Sequence, residues 1–476
     1  MSTVCADIPL TFSSSPIAIA SGYRPYSNQQ LLIAATGCTK PTSDVFTHDL
    51  NAFPAPLVLP GDDIECDPTY PPQSFRENVL YVAAAPAIDS RVEHMQDWQR
   101  SVWDARTSGD TEPTTRTVPD VESISAYLRA FYHGMEVNIL QQKLVFTAWN
   151  DKPPQKGRSL GKEASHRSKI EYVALSTGIE LIRIRTRYTP PEGRHEESGL
   201  FAYSHQLNLN DLADVAMTLV PSDAYALLML TNHDLYEGDD DDFCCGRAWG
   251  ASRIAVVSAA RYRPALDELH KVDTQHIWPA SHCEAFVNGM SGPHEGVPTT
   301  GPNKPTKRRK IRTAPTSGRS SFPAREPLER ALSAHLSEHV GTNPASSSAY
   351  LFQVCRTAAH ELGHCFGLDH CMYRACAMQG TASVAEDMRQ PPYLCPVCER
   401  KVAWAVSRDD VVHSSINGNV VREQRAMKTD ADQEWEFKTA KSRRDRLLAL
   451  KDFCQGQAPN FAPFAAWCES MVELMK

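Results

Sequence analysis

Residues 349–370 read AYLFQVCRTAAHELGHCFGLDH. Within them, His360-Glu361-Leu362-Gly363-His364 restricts what the chain can fold into more than any other stretch. These residues lie among good helix formers. On a helix of 3.6 residues per turn, positions 360 and 364 are about 40° apart, so both imidazoles leave one face. That face offers two corners of a zinc tetrahedron. Glu361 projects beside them without taking a ligand position, as a general base must if it is to draw a proton from zinc-bound water. Gly367 follows, and a glycine there can adopt positive φ, end the helix and turn the chain sharply. The turn lets His370 return as a third ligand. The fourth position stays open for water, which marks a catalytic rather than a structural zinc.

A second set begins at the next residue. Cys371, Cys376, Cys395 and Cys398 are spaced C-x4-C-x18-C-x2-C, two ligand pairs on separate turns, as in a closed four-cysteine structural zinc site. Buried free thiols, or a redox pair at Cys395 and Cys398, are the alternatives, and neither accounts for four cysteines at paired spacings. The compartment expected from the sequence agrees: the N-terminus lacks a basic start and makes a poor secretory signal, so a cytoplasmic or nuclear setting with reduced thiols is expected. Because Cys371 adjoins His370, a second metal would also pin the segment carrying the third histidine. Cys355 and Cys365 fall outside both patterns and read as core thiols. Two Zn²⁺ per chain are expected, one catalytic and one structural.

The whole string HELGHCFGLDHCMYRACAMQG…LCPVC resembles the archaemetzincins (archaelysins), a family of metzincin-clan zinc metallopeptidases. The resemblance is sharp over residues 349 to about 405. It implies an α+β, zincin-like catalytic domain with a twisted mixed sheet, an active-site helix and a Met-turn, and it puts Met378 at the Met-turn position as an apolar floor beneath the zinc. Upstream, Leu228–Tyr236 and Arg253–Pro264 look like the family's central strand and the edge strand bordering the substrate cleft, where an extended peptide can bind by strand addition. The family suggests peptides as substrates, with aminopeptidase-like action among the modes.

The rest of the chain has an ordinary globular composition. Of 476 residues, 42% are hydrophobic and 22% charged, which excludes collagen-like, coiled-coil and wholly disordered chains. A net charge of −8 gives no global attraction to nucleic acid or an anionic membrane, and no apolar run is long enough to span one. Residues 1–75 read as an irregular N-terminal extension, 76–455 as the catalytic domain, and 456–476 as a C-terminal helical extension. Residues 290–327 read as a disordered low-complexity insertion whose basic cluster at 304–312 (KPTKRRKIR) suits nuclear import. Periodicity predicts helices over Val121–Phe131 and from Leu328, and another over Asn210–Val220 with an Asn-Asp cap. It predicts strands over Ala224–Leu230 and Ile182–Arg187, the latter with a row of solvated arginines. The Asp239–Asp242 turn reads as a solvated loop.

The function these features support is zinc-dependent hydrolysis of peptide bonds in a peptide or protein substrate. Glu361 serves as base, with no membrane or nucleic-acid partner, and nothing in the sequence specifies an oligomeric state. The rival is a non-catalytic or weakly active zinc-binding interaction protein. Glu361 argues against it, because a purely structural site has no use for an unligated carboxylate beside an open metal position.

Overall fold

The computed structural model describes residues 78–101, 103, 118–149, 171–189, 202–282, 326–339, 347–371, 375–406, 430–457 and 459–475. The expected N-terminal extension and the basic cluster at 304–312 lie outside them. Helices and strands form a mixed α/β frame, with the strands in two sheets. The first holds β1 (Val79–Ala83), β3 (Glu136–Ile139), β8 (Ala224–Thr231), β10 (Gly246–Trp249) and β11 (Ile254–Ser258), in the order β10-β11-β8-β1-β3. Only the pairing of β10 with β11 is antiparallel. All eight residues of β8 and all five of β11 are buried, which is why their sequences run apolar instead of alternating: both faces are covered.

The second sheet takes β2 (Ala87–Ile88), β4 (Val145–Ala148), β5 (Glu171–Ser176), β6 (Leu181–Tyr188), β7 (His205–Asn208) and β9 (Leu235–Tyr236), in the order β2-β4-β5-β6-β7-β9. Its inward residues, among them Phe146, Val173, Leu175 and Ile184, join Leu227, Met229, Ile254 and Val256 of the first sheet in one buried cluster. The mixed pairing agrees with the expected fold; the division into two sheets is additional to it.

The edge strand is a correction. Arg253–Pro264, expected at the sheet edge, contributes β11, which lies between β8 and β10. The edge is β10, whose four residues GRAW are only partly buried or exposed. A strand so short and irregular leaves no period-two signal, whereas the unbroken apolar run of β11 marks an interior strand.

Seven helices of ten or more residues are described: α1 (Val121–Phe131), α2 (Leu209–Leu219), α3 (Glu326–His339), α4 (Ser347–Cys365), α5 (Pro396–Val406), α6 (Asp430–Gln455) and α7 (Ala462–Leu474). Glu326 and Pro327, expected to end the low-complexity insertion, begin α3. The cap of α2 is Asn208, whose side chain accepts from the Asp211 backbone N–H at 3.2 Å, so the expected Asn210-Asp211 cap lies within the first turn.

The arginine row of β6 is also less solvated than expected. Arg183 is exposed, but Arg185 and Arg187 are half-buried. Arg185 pairs with Asp211 at 2.6 Å. Arg187 donates to Gln206 Oε1 at 2.5 Å and to the Asp241 carbonyl at 2.7 Å, holding the acidic turn through its backbone rather than its carboxylates.

Helix α4 is packed against β11, β10, β8 and α1. Residues 352–359 and 361–363 on it are buried, and each large apolar side chain so buried contributes about 1.5–3 kcal/mol. Tyr132 at the end of α1 donates its hydroxyl to the Ala359 carbonyl at 2.5 Å and stacks on Phe366 at 4.8 Å. A fully buried ion pair, Arg261–Asp234 at 2.5 Å, ties the turn before β9 to the segment after β11. No described helix is long and apolar enough to cross a membrane.

Candidate metal centre

His360, His364 and His370 come together, with one ligand atom from each lying within 4.8 Å of the others. The Nε2 atoms of His360 and His364 are 3.1 Å apart, close to the ~3.3 Å separation of two tetrahedral ligands held at about 2.05 Å from zinc. The remaining nitrogens are engaged by the backbone. His360 Nδ1 donates to the Ala377 carbonyl and His364 Nδ1 to the Leu368 carbonyl, each at 2.6 Å. A carbonyl can only accept, so both rings carry the proton on Nδ1 and present an unprotonated Nε2 to the common point, the arrangement a metal-binding histidine needs. Gly367 has φ +80°, ending the helix as expected. His370, exposed where the other two rings are half-buried, packs against Gly380: a β-carbon there would stand 2.8 Å from its Nδ1.

Glu361 is buried beside these rings at 8% exposure. Burial, and secondly the nearby Asp387 carboxylate, push its carboxyl up to about 8. A β-carbon at Gly246 would meet Glu361 Cγ at 3.1 Å, so β10 runs directly against the carboxylate. Two cavities flank this point. One, of about 930 Å³, is lined by Phe243, Cys245, Tyr262, Thr357, Glu361 and Asp387 among others. The second, of about 640 Å³, lies towards Arg247, Gly250, Leu368 and Asp369. Both are lined by Cys244, Gly246, Glu361 and His370.

Cys371, Cys376, Cys395 and Cys398 form the second group, with their sulfurs within 4.8 Å of one another. Backbone N–H groups point at the sulfurs: Met378 and Cys395 donate to Cys376 Sγ at 3.4 and 3.2 Å, and Cys398 donates to Cys395 Sγ at 3.5 Å. Cys395 also stands just before the first turn of α5, where the helix N-terminus favours negative charge. Among these four, mutual sulfur contacts and burial push the Cys398 thiol well up, and burial foremost does the same to Cys376. Four such sulfurs, crowded together and supplied with N–H donors, fit a bound divalent cation that holds them as thiolates. Met378 is wholly buried between the two groups, and its carbonyl accepts from the Cys371 N–H at 2.7 Å.

Several contributors have no local signature in the sequence. The carbonyls of Ala377 and Leu368 are backbone groups. Arg356, Gln390 and Gln379 form a polar link behind the site, with Arg356 donating to Gln390 Oε1 at 3.0 Å and Gln390 to the Gln379 carbonyl at 2.5 Å. Only the small residues at Gly246, Gly363 and Gly380 could have hinted at close approaches.

A mixed α/β frame thus holds an HExxH helix with a third histidine returning to the same point. Residues 332–403 match the family model described as Peptidase family M54. The chain is 27% identical over 201 residues to archaemetzincin-2 of Macaca fascicularis, covering 42% of each chain. It is 27% identical over 197 residues to archaemetzincin-1 of Mus musculus, covering 41% of this chain and 30% of that one. The matched part thus spans less than half the length of these curated relatives. The crystal structure of archaemetzincin (AmzA) from Methanopyrus kandleri aligns over 70% of this chain and 98% of its own, with 16% identity and a TM-score of 0.30. The similarity to peptidase family M54 is thus confined to the segment that carries the three histidines and the four cysteines.

Proposed function

We propose that the protein is a zinc-dependent peptidase. In this reading His360, His364 and His370 hold a catalytic zinc, Glu361 is the general base, Met378 forms the Met-turn floor below the histidines, and the four cysteines hold a second, structural zinc. The observation that carries it is the pair of Nδ1–H donations to backbone carbonyls, which leaves two Nε2 atoms 3.1 Å apart beside a buried carboxylate that is not itself in the cluster. Zinc bound there supplies Lewis acidity and a water of lowered pKa.

The chain's own residues do the rest. Glu361 accepts the proton of the attacking water and returns it to the leaving amine. The Ala377 and Leu368 carbonyls keep two imidazoles in the ligand tautomer. The outer edge of β10 pairs with an extended peptide, setting the scissile bond against Glu361, and the two cavities receive the flanking side chains.

The test is mass spectrometry of a mixed peptide library incubated with the protein and with its Glu361→Gln variant. Cleavage confined to the parent supports the assignment, and the new termini separate end-trimming from internal cutting. Undiminished cleavage by the variant removes Glu361 from the reaction.

A further inference from the structure

The family match ends at residue 403, yet the C-terminal helices reach the metal-bearing segments at three places. Phe461, just before α7, packs edge-on to Phe352 of α4 at 4.9 Å, and Asn460 accepts from the Ser348 hydroxyl at 2.5 Å. Arg443 and Arg446 of α6 both pair with buried Glu399, the residue after Cys398. The third contact leads to a catalytic ligand. Trp467 of α7 stacks on Tyr393 with centroids 4.2 Å apart and planes within 3°, and Trp278 abuts the Tyr393 ring edge-on at 6.1 Å. The Tyr393 carbonyl accepts from the Ala377 N–H at 2.7 Å, and the Ala377 carbonyl accepts from His360 Nδ1 at 2.6 Å.

We propose that Trp467 is a positioning residue for the three-histidine site, acting through Tyr393 and the Ala377 peptide to hold His360 in its ligand orientation. The inference rests on the metal reading above and extends it to a helix outside the family match. The Ala377 carbonyl receives His360 Nδ1, and the N–H of the same residue donates to the Tyr393 carbonyl. A stacked indole 3% exposed therefore fixes the far end of a two-bond relay. Loss of the indole opens space under the tyrosine ring, and the 393 carbonyl shifts into it. The Ala377 peptide follows, and the His360 ring loses its fixed acceptor. Outer partners of metal-bound histidines carry about 10–100-fold in metal affinity.

The experiment compares the parent with Trp467→Ala and Trp467→Phe, and with Trp467→Leu should the alanine variant fail to fold. Three readouts are used: the rate at which a chelator removes the more labile metal, the visible spectrum of protein carrying Co²⁺ at the three-histidine site, and total zinc content. Alanine or leucine should speed metal loss about tenfold or more and alter the Co²⁺ bands while the cysteine-bound zinc stays, and phenylalanine should restore most of the parent behaviour. A variant that merely melts earlier, with parent metal-loss rate and spectrum, overturns the proposal. A parent that binds no metal at the histidines overturns it together with the metal reading. A parent that holds the metal but cleaves no peptide sinks the peptidase reading alone, because metal retention still reads the role of Trp467.

Discussion

The Met378 thioether rests against the backbone of Gly363, where a β-carbon would overlap both Sδ and Cε of the methionine. The residue between Leu362 and the second histidine must therefore lack a side chain if Met378 is to stay where it is. Gly363→Ala, although favourable for an isolated helix, should destabilise the protein by about 1–3 kcal/mol through overpacking. It should also weaken metal retention at the neighbouring His364. Thermal unfolding and chelator competition check both; an alanine variant as stable and as metal-tight as the parent contradicts this packing.

Glu361→Gln keeps the shape of the side chain and removes its capacity to accept a proton. Zinc content should be unchanged, and turnover should fall by about 10²–10⁴-fold, the range of general base catalysis. Metal analysis alongside initial rates on a cleaved peptide provides the check, and loss of zinc in the variant would mean the carboxylate supports the ligands instead.

Cys395→Ser removes one sulfur of the buried four and, with it, the N-terminal sulfur cap of α5. Zinc should drop from two per chain to about one, with a lower melting temperature, because structural metal binding is coupled to folding. A variant holding two zincs and melting with the parent would show that the cysteines are ordinary core thiols.

His233 is fully buried, and burial pushes its imidazole down to about 4. Its Nε2 donates to the Met95 carbonyl at 3.2 Å, while Nδ1 faces no partner among the described residues. In the unfolded chain the same group protonates near 6.5, so below that pH the unfolded state binds more protons. Stability should then fall as the pH drops from about 6.5 towards 4. His270, likewise pushed to about 4, acts in the same direction. Urea midpoints between pH 7 and 5 should decline, and less steeply in His233→Gln; an identical slope in the two proteins rules out His233 as a source.

What the sequence showed and what it hid follow from how each feature is encoded. The three histidines, Gly367 and the four cysteines act through spacing along a helix or a turn, and spacing is written in the chain. Strand β8 was legible because its residues from Ala224 to Leu230 run apolar without a break. Strand β10 was not, since four mixed residues carry no period and its place at the edge depends on which strands lie beside it. The arginines of β6 show the proper alternation, yet the partners that half-bury Arg185 and Arg187 arrive from Asp211 and from the 238–241 turn. The Trp467–Tyr393 stack joins residues 74 positions apart, and local pattern says nothing about such a meeting.

His370 and Cys371 are neighbours in the chain but belong to different clusters. Their α-carbons are about 3.8 Å apart across one peptide, and the Cys371 N–H is tied to the Met378 carbonyl. For anyone transplanting this centre into another scaffold, the portable unit is accordingly not the helical HExxH segment. It is the whole stretch from His360 to Cys398: a graft ending at His370 would carry two histidines on a helix and a third on a loose end.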